Sequence, residues 1–218
     1  SIVLYTGTGA SSGTIAHGLG AVPKQIWVKN RDEAYNWKVY HAENTTAPET
    51  DYLVLDNNDA TVDSATHWND TAPTSTVFTI GSSNGLIKNT NKYVAYCFAE
   101  IEGYSKFGSY IARSSSASTP NHDGVFIYTG FRPAWIIIKR IDGAGNWNIH
   151  DSVRAVDNPM QNFLLADATN TEITSEAIEF LSNGVKLRSA SGYFDHPAGG
   201  EFIYWALAEQ PFKYANAR

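Results

Sequence analysis

The apolar residues of the chain fall in short runs of strand length. Residues 25–28 and 135–138 are largely apolar and rich in β-branched and aromatic side chains, whereas residues 37–40 and 147–150 alternate between apolar and polar positions. Runs of this length and composition predict β-strands, and the alternating ones predict strands with one side facing solvent. The pattern therefore predicts an all-β fold.

Two Asn-Gly pairs separate strand-like runs. Asn84-Gly85 and Asn183-Gly184 each stand between two apolar segments. Asn-Gly is a strong hairpin signal, because a type I′ turn requires positive φ at both central residues. An antiparallel hairpin is therefore predicted around each pair.

The strand pattern occurs twice, in the same order. Trp37 and Trp147 are 110 positions apart, and no gap is needed in the block that leads to them. The matched blocks are residues 21–37 with 131–147, residues 83–85 with 182–184, and residues 93–100 with 202–209. A series of matches in one order, with small insertions and deletions between them, indicates a tandem duplication.

The duplication sets the predicted domain organisation. We predict a tandem-duplicated antiparallel β-sandwich, lectin-like or jelly-roll-like, with one repeat in residues 1–105 and the other in residues 106–218. The repeats either fold as two sandwiches or pack closely as one structural domain. Residues 109–124 are rich in Ser and link the repeats. Residues 107–111 are then either part of that linker or the first strand of the second copy.

Composition narrows the function classes. The chain carries a net charge of −6 and contains no basic run, which argues against nucleic-acid binding. No apolar stretch approaches the roughly 18 residues that span a bilayer, so no membrane insertion is expected. Cys97, the single cysteine, lies in an apolar run and is predicted to be a small core residue. Trp27, Trp135, Trp205 and either Tyr96 or Cys97 are predicted to be largely buried.

Motifs of catalysis are absent from the sequence. The six histidines lack metal-ligand spacing, and there is no nucleophile motif or Gly-rich phosphate loop. His41 and His150 lie at nearly equivalent places, so they mark either a duplicated site or strand-end residues packed inside the sandwich. Glu100 and Glu209 are also duplicated, which is more typical of structural acids than of catalytic ones. No enzyme is expected.

One polar loop is a candidate cation site. Asp56 and Asp59 flank two asparagines and could supply several oxygen ligands to Ca²⁺, which takes six to eight of them. Asx-rich turns adopt similar sequences without any metal. No other cofactor is expected.

Aromatic residues in polar loops are the candidate ligand-binding groups. They are Tyr35, Trp68 with Asn69, and Tyr193 with Phe194. An aromatic ring could stack on a sugar while Asn and Asp side chains bond its hydroxyls. The same rings could equally pack onto their own domain or onto a neighbouring subunit.

Several strings of the sequence resemble a recurrent module of tailed-phage virion proteins, including tail fibres. They are residues 5–9, 15–23, 29–32, 36–37, 94–108 and 126–133. The resemblance covers nearly the whole chain and implies a virion protein made in the host cytoplasm. It implies self-association, most simply a homotrimer, and contacts with other virion proteins. No catalytic residues of this family are available to carry over.

These observations lead to three expectations about function. The first is a virion structural module of a tail fibre or surface appendage that binds a receptor or host-surface glycan. The second is a polysaccharide-degrading appendage with paired carboxylates. The third is a purely architectural connector or decoration protein.

Overall fold

A computed structural model describes residues 1–114, 123–154 and 157–210. Strands hold 42% of the residues and helices 6%, which confirms the predicted all-β fold with antiparallel sheets. The chain forms two compact units, Ser1–Ala99 and Glu100–Arg218. Half of the predicted Ser-rich linker, residues 115–122, lies outside the described residues. Within the described residues, every helix is too short and polar to cross a membrane.

The first unit contains eight strands, two short α-helices and one 3-10 turn. They are β1 (Ile2–Thr6), β2 (Ser12–Ala16), β3 (Gln25–Asn30), β4 (Lys38–His41), the 3-10 turn Pro48–Thr50, β5 (Asp51–Val54), β6 (Val62–Asp63), α1 (Ala65–Trp68), β7 (Val77–Gly81), α2 (Asn84–Ile87) and β8 (Lys92–Phe98). One sheet has the order β1-β8-β3-β4-β5-β6, and the other pairs β2 with β7.

The described part of the second unit contains eight strands. They are β9 (Ser105–Ile111), β10 (Phe126–Tyr128), β11 (Pro133–Arg140), β12 (Trp147–Asp151), β13 (Leu164–Leu165), β14 (Ile178–Leu181), β15 (Gly184–Leu187) and β16 (Glu201–Ala208). Its larger sheet has the order β13-β12-β11-β16-β9, and its smaller sheet has the order β10-β15-β14.

The larger sheets of the two units share a strand order. Strands β1-β8-β3-β4-β5 correspond in position to β9-β16-β11-β12-β13. Tyr5 lies opposite Tyr93 in the first unit and stacks on it at 4.9 Å, and Tyr110 lies opposite Phe202 in the second and stacks at 5.3 Å. Residues 107–111 therefore form a strand that is the counterpart of β1. The smaller sheets differ, since the second unit adds a strand between β10 and β14.

Each unit packs its two sheets around its own apolar core. In the first unit, Ile26 and Val28 of β3 pack with Phe78 and Ile80 of β7. In the second, Ile136 and Ile138 of β11 belong to one buried cluster with residues of β14, β15 and β16. Side chains alternate across a strand, so the residues between these core positions point to the opposite face of the larger sheet.

This alternation corrects part of the predicted core. Cys97 and Trp205 are buried, as predicted. Trp27, Trp135 and Tyr96 are half-buried and lie outside the buried core clusters of their units. In the first unit the reason is that Trp27 lies between the core residues of β3 and Tyr96 beside the core residue Cys97, which places both on the face that does not meet the smaller sheet.

The two Asn-Gly pairs have different structures. Asn84-Gly85 begins the helix α2, capped by Ser83 Oγ, which accepts from the Gly85 N–H at 3.3 Å, so a hairpin there is wrong. Strands β14 and β15 do form a hairpin, but Leu181 pairs with Gly184, which makes Ser182 and Asn183 the turn. Gly184 is required by close packing instead, because a Cβ there would lie 2.2 Å from the Ile127 carbonyl oxygen of β10.

One pair of facing residues has different side-chain sizes in the two units. Val3 lies opposite Ala95 in the first unit, and Gly108 lies opposite Tyr204 at the corresponding place in the second. A Cβ on Gly108 would lie within 2.7 Å of the Tyr204 ring. The small residue therefore accommodates the large one, as close packing of protein interiors requires.

Candidate functional site

Two of the predicted ligand-binding aromatics lie in the cores. Trp68 is 2% exposed and makes an edge-on contact with Tyr40 at 5.9 Å. Phe194 is 0% exposed and makes an edge-on contact with His150 at 5.7 Å. A ring with no exposed face cannot stack on a ligand, so the prediction of a binding role for Trp68 and Phe194 is wrong.

The residues that precede Trp68 and Phe194 in the sequence also pack against aromatic rings. His67 stacks on Tyr52 at 3.5 Å, and Tyr193 packs edge-on against Phe163 at 5.1 Å. The pair His67-Trp68 comes before the β7 strand, whereas Tyr193-Phe194 follows the β15 strand. The helix α1 in the first unit and the segment after β15 in the second thus each supply two adjacent aromatic rings to their own unit.

His41 and His150 do not occupy equivalent positions in the two units. Ile26 lies opposite Tyr40, and its counterpart Ile136 lies opposite His150, so the residue equivalent to His150 is Tyr40 and not His41. The alternative of a duplicated histidine site is therefore wrong. His150 is fully buried, and neither of its ring nitrogens has a hydrogen-bond partner among the described residues. Burial lowers its pKa to about 3.

The remaining predicted ligand-binding residues are Tyr35, Asn69 and Tyr193. Tyr35 and Tyr193 are half-buried and belong to different units. Asn69 is exposed and ends α1 with a φ of 54°, a left-handed conformation that Asn tolerates better than most residues. The Tyr35 carbonyl accepts a hydrogen bond from Lys29 Nζ at 2.6 Å, so at least its backbone has a structural role.

The predicted cation ligands have local partners. Asp56 Oδ1 accepts from the Trp37 N–H at 3.0 Å, and Asp167 Oδ1 accepts from the Trp147 N–H at the same distance in the second unit. Asp59 accepts a hydrogen bond from its neighbour Asn57. Across the ranges that the structure describes, no cluster of three or more His, Cys, Asp or Glu side chains could hold a metal ion. The Asp56 carboxylate therefore makes a structural hydrogen bond that is repeated by Asp167 in the second unit.

The duplicated acids also bond within their own units. Asp32 accepts from the Lys92 N–H at 2.7 Å, and Asp142 lies 2.8 Å from Arg140 Nε. Glu209 forms an ion pair with Arg132 at 2.9 Å. These contacts support the structural interpretation of the repeated carboxylates.

A pocket of about 370 Å³ opens on the second unit. Three short segments line it: residues 100–106, which lead into and begin β9; Tyr128, at the end of β10; and the turn that follows Tyr128. The lining residues are Glu100, Glu102, Gly103, Ser105, Lys106, Tyr128, Thr129, Gly130 and Phe131. Strands β9 and β10 are edge strands of the two sheets, so the sandwich fold itself brings these segments together.

Glycines allow the two turns that form the pocket wall. Gly103 and Gly130 have φ angles of 73° and 83°, which residues with side chains rarely adopt. The Ile101 carbonyl closes the first turn by accepting from the Tyr104 and Ser105 N–H groups at 3.0 and 2.9 Å. In the second turn, the Thr129 hydroxyl donates to the Phe131 carbonyl at 2.5 Å.

The pocket combines an exposed ring with polar groups held in place. Tyr128 is 62% exposed. Glu100 Oε1 lies 2.8 Å from Lys106 Nζ, and its Oε2 accepts from the Phe107 N–H at 3.2 Å. An aromatic face beside fixed carboxylate and hydroxyl oxygens can receive an apolar ring face and accept hydrogen bonds from its hydroxyl groups.

Sequence reasoning missed this pocket. Tyr128 looked like an ordinary strand residue, and Glu100 was recognised only as one of a repeated pair. The positions of two glycines are the usable signal. Gly103 follows the exposed Glu102 just before β9, and Gly130 lies between the end of β10 and Phe131. Nothing in the linear pattern indicates that these two turns meet.

Residues 1–211 match the model of a protein family described as Domain of unknown function (DUF7483). No curated protein and no solved structure matches the chain.

Proposed function

We propose that this chain, which belongs to the DUF7483 family, is a non-catalytic β-sandwich module of a phage virion appendage that binds host-surface glycan. The observation that carries the binding role is the exposed Tyr128 ring in a pocket with the oriented carboxylate of Glu100. The virion location rests on the resemblance of its sequence strings to tailed-phage structural proteins. Other virion proteins would then be its neighbours.

The physical case for a sugar follows from the pocket's chemistry. A pyranose ring has an apolar face, which packs on an aromatic ring, and hydroxyl groups around its edge, which need acceptors. Tyr128 supplies the ring, while the Glu100 carboxylate and the Thr129 hydroxyl supply acceptors fixed by their own protein contacts. Groups held in place before binding lose less conformational entropy when a ligand arrives.

Replacing Tyr128 by Ala is expected to weaken glycan binding about 10-fold or more, because stacking area is lost while the fold is retained. Phe126 is the matched control, since it lies two residues away on the same strand, is 42% exposed and does not line the pocket. Phe126→Ala should bind as the wild type does. Glycan-array signals followed by calorimetric titration test both variants. Equal binding by wild type and Tyr128→Ala would remove the pocket from the proposal.

A second candidate is a polysaccharide-degrading enzyme, because the pocket contains two carboxylates, Glu100 and Glu102. A glycoside hydrolase requires such a pair about 5–10 Å apart. Glu100, however, is already engaged by Lys106 and the Phe107 N–H, which suits a binding group better than a proton donor. Reducing-sugar release that disappears in Glu100→Gln would establish the enzyme instead. If the protein neither releases reducing sugar nor binds glycan, the architectural connector or decoration protein remains as the alternative.

Self-association is part of the proposed virion role. The resemblance to tail-fibre modules implies a homotrimer, and no strand of the described residues pairs with the outer edge of β1. Multi-angle light scattering at micromolar concentration should give three times the mass of the 23.9 kDa chain. A clean monomer would contradict trimerisation by this chain alone.

A further inference from the structure

We infer that the pocket beside Tyr128 selects neutral glycans and discriminates against glycans that carry a carboxylate. This inference rests on the proposed glycan-binding function and specifies its ligand class. Its basis is the state of Lys106, the one cation among the described residues that line the pocket.

Lys106 is already neutralised inside the pocket. Its Nζ lies 2.8 Å from Glu100 Oε1, within charge-assisted hydrogen-bond distance. Glu100 is itself held from the other side, because its second oxygen accepts from the Phe107 N–H at 3.2 Å. The side chains of the pair are 36% and 31% exposed, so solvent partly screens the pair. Because the Glu100 charge already compensates the ammonium group, an incoming acid gains less from Lys106 than it would from an unpaired cation.

The other polar groups of the pocket favour hydroxyl donors over anions. Glu100 and Glu102 bring carboxylates. Thr129 donates its hydroxyl hydrogen to the Phe131 carbonyl and accepts from the Phe131 N–H at 3.4 Å, which leaves one lone pair of its oxygen as an acceptor. Sugar hydroxyls can donate to all of these oxygens. A uronic or sialic acid carboxylate has no hydrogen to donate and would lie beside like charges. The chain's net charge of −6 adds to the repulsion at low salt.

The experiment compares matched neutral and acidic oligosaccharides. Lactose is paired with 3′-sialyllactose, and cellobiose with cellobiouronic acid, on an array of such pairs followed by titration at low and high salt. The wild type should bind the neutral member of a pair about 10-fold more tightly, and salt should narrow the difference. Equal or tighter binding of the acidic member would overturn the inference while leaving glycan binding intact.

Glu100→Gln separates the charge from the shape of the pocket. Gln keeps an oxygen for the Phe107 N–H but frees the Lys106 charge, so the ratio of neutral to acidic affinity should fall about 10-fold, whatever neutral binding itself loses with the carboxylate. Glu209→Gln is the matched control, because Glu209 is the sequence counterpart of Glu100, pairs with Arg132, and lies outside the pocket lining. An unchanged neutral-to-acidic ratio in Glu100→Gln would overturn the role of Lys106. Failure of every neutral and acidic probe would instead reject the proposed function itself.

Discussion

Replacing Trp68 by Ala should lower the free energy of unfolding by about 3–5 kcal/mol. Trp68 is 2% exposed and belongs to the core cluster of the first unit, where it contacts Tyr40. Removing the indole leaves a cavity that the surrounding β-sheet residues cannot fill without backbone movement. Urea titration followed by circular dichroism measures the change.

Trp135→Ala is the control for this experiment. Trp135 is half-buried and lies outside the core cluster of its unit, so its removal should cost clearly less than removal of Trp68. Both variants lose an indole from a Trp side chain, so the comparison shows how the cost depends on how deeply that indole is buried. A Trp68→Ala variant that melts like the wild type but no longer binds glycan would contradict the core assignment and restore Trp68 as a ligand-binding residue.

Acidification should destabilise the protein through its buried histidines. Burial lowers the pKa of both His150 and His67 to about 3, whereas an unfolded histidine titrates near 6.5. Between these values the unfolded chain binds more protons than the folded one, so stability falls as pH decreases. Each histidine should cost about 2 kcal/mol between about pH 7 and pH 5, and the loss continues until the folded pKa is reached.

Two substitutions at His150 test the source of this acid sensitivity. His150→Phe keeps a ring against Phe163 and Phe194, and its counterpart in the first unit is the aromatic Tyr40. His150→Leu is closer in volume and serves if the larger ring does not fit. Either variant should lose about half of the destabilisation between about pH 7 and pH 5, and both should gain stability at neutral pH, because two unsatisfied buried nitrogens are removed. A wild-type pH profile in both variants would show that His150 is not the cause.

The strands could be predicted because they depend on local sequence pattern. Alternating and apolar runs indicated the strand that carries Trp147, and the repeat spacing matched it to Trp37. For residues 107–111 the sequence left a linker and a first strand open, and the structure shows the strand β9. Which residues of a strand are buried was harder to predict from sequence. Trp135 and Ile136 are equally apolar in sequence, but only the choice of which face meets the smaller sheet decides that Ile136 is the core residue.

Loop residues could not be assigned from sequence, because tertiary packing decides their role. Trp68 sits among polar neighbours and looked exposed, yet the short helix α1 turns it onto Tyr40. Asn84-Gly85 has the composition of a hairpin turn, but the Ser83 cap makes it the start of a helix. The pocket depends on Lys106 and Tyr128 meeting at the edge of a sandwich, which no spacing along the chain reveals.

Mapping the bound glycan on the protein tests the central claim most directly. The ¹⁵N-labelled protein is titrated with the neutral oligosaccharide that binds best on the array, and backbone amide shifts are followed. We expect the largest shifts on residues 100–106 and 128–131, and we expect them to vanish in Tyr128→Ala. Shifts centred on Tyr35 and Asn69, or on the loop that carries Tyr193, would contradict it and place the binding site elsewhere.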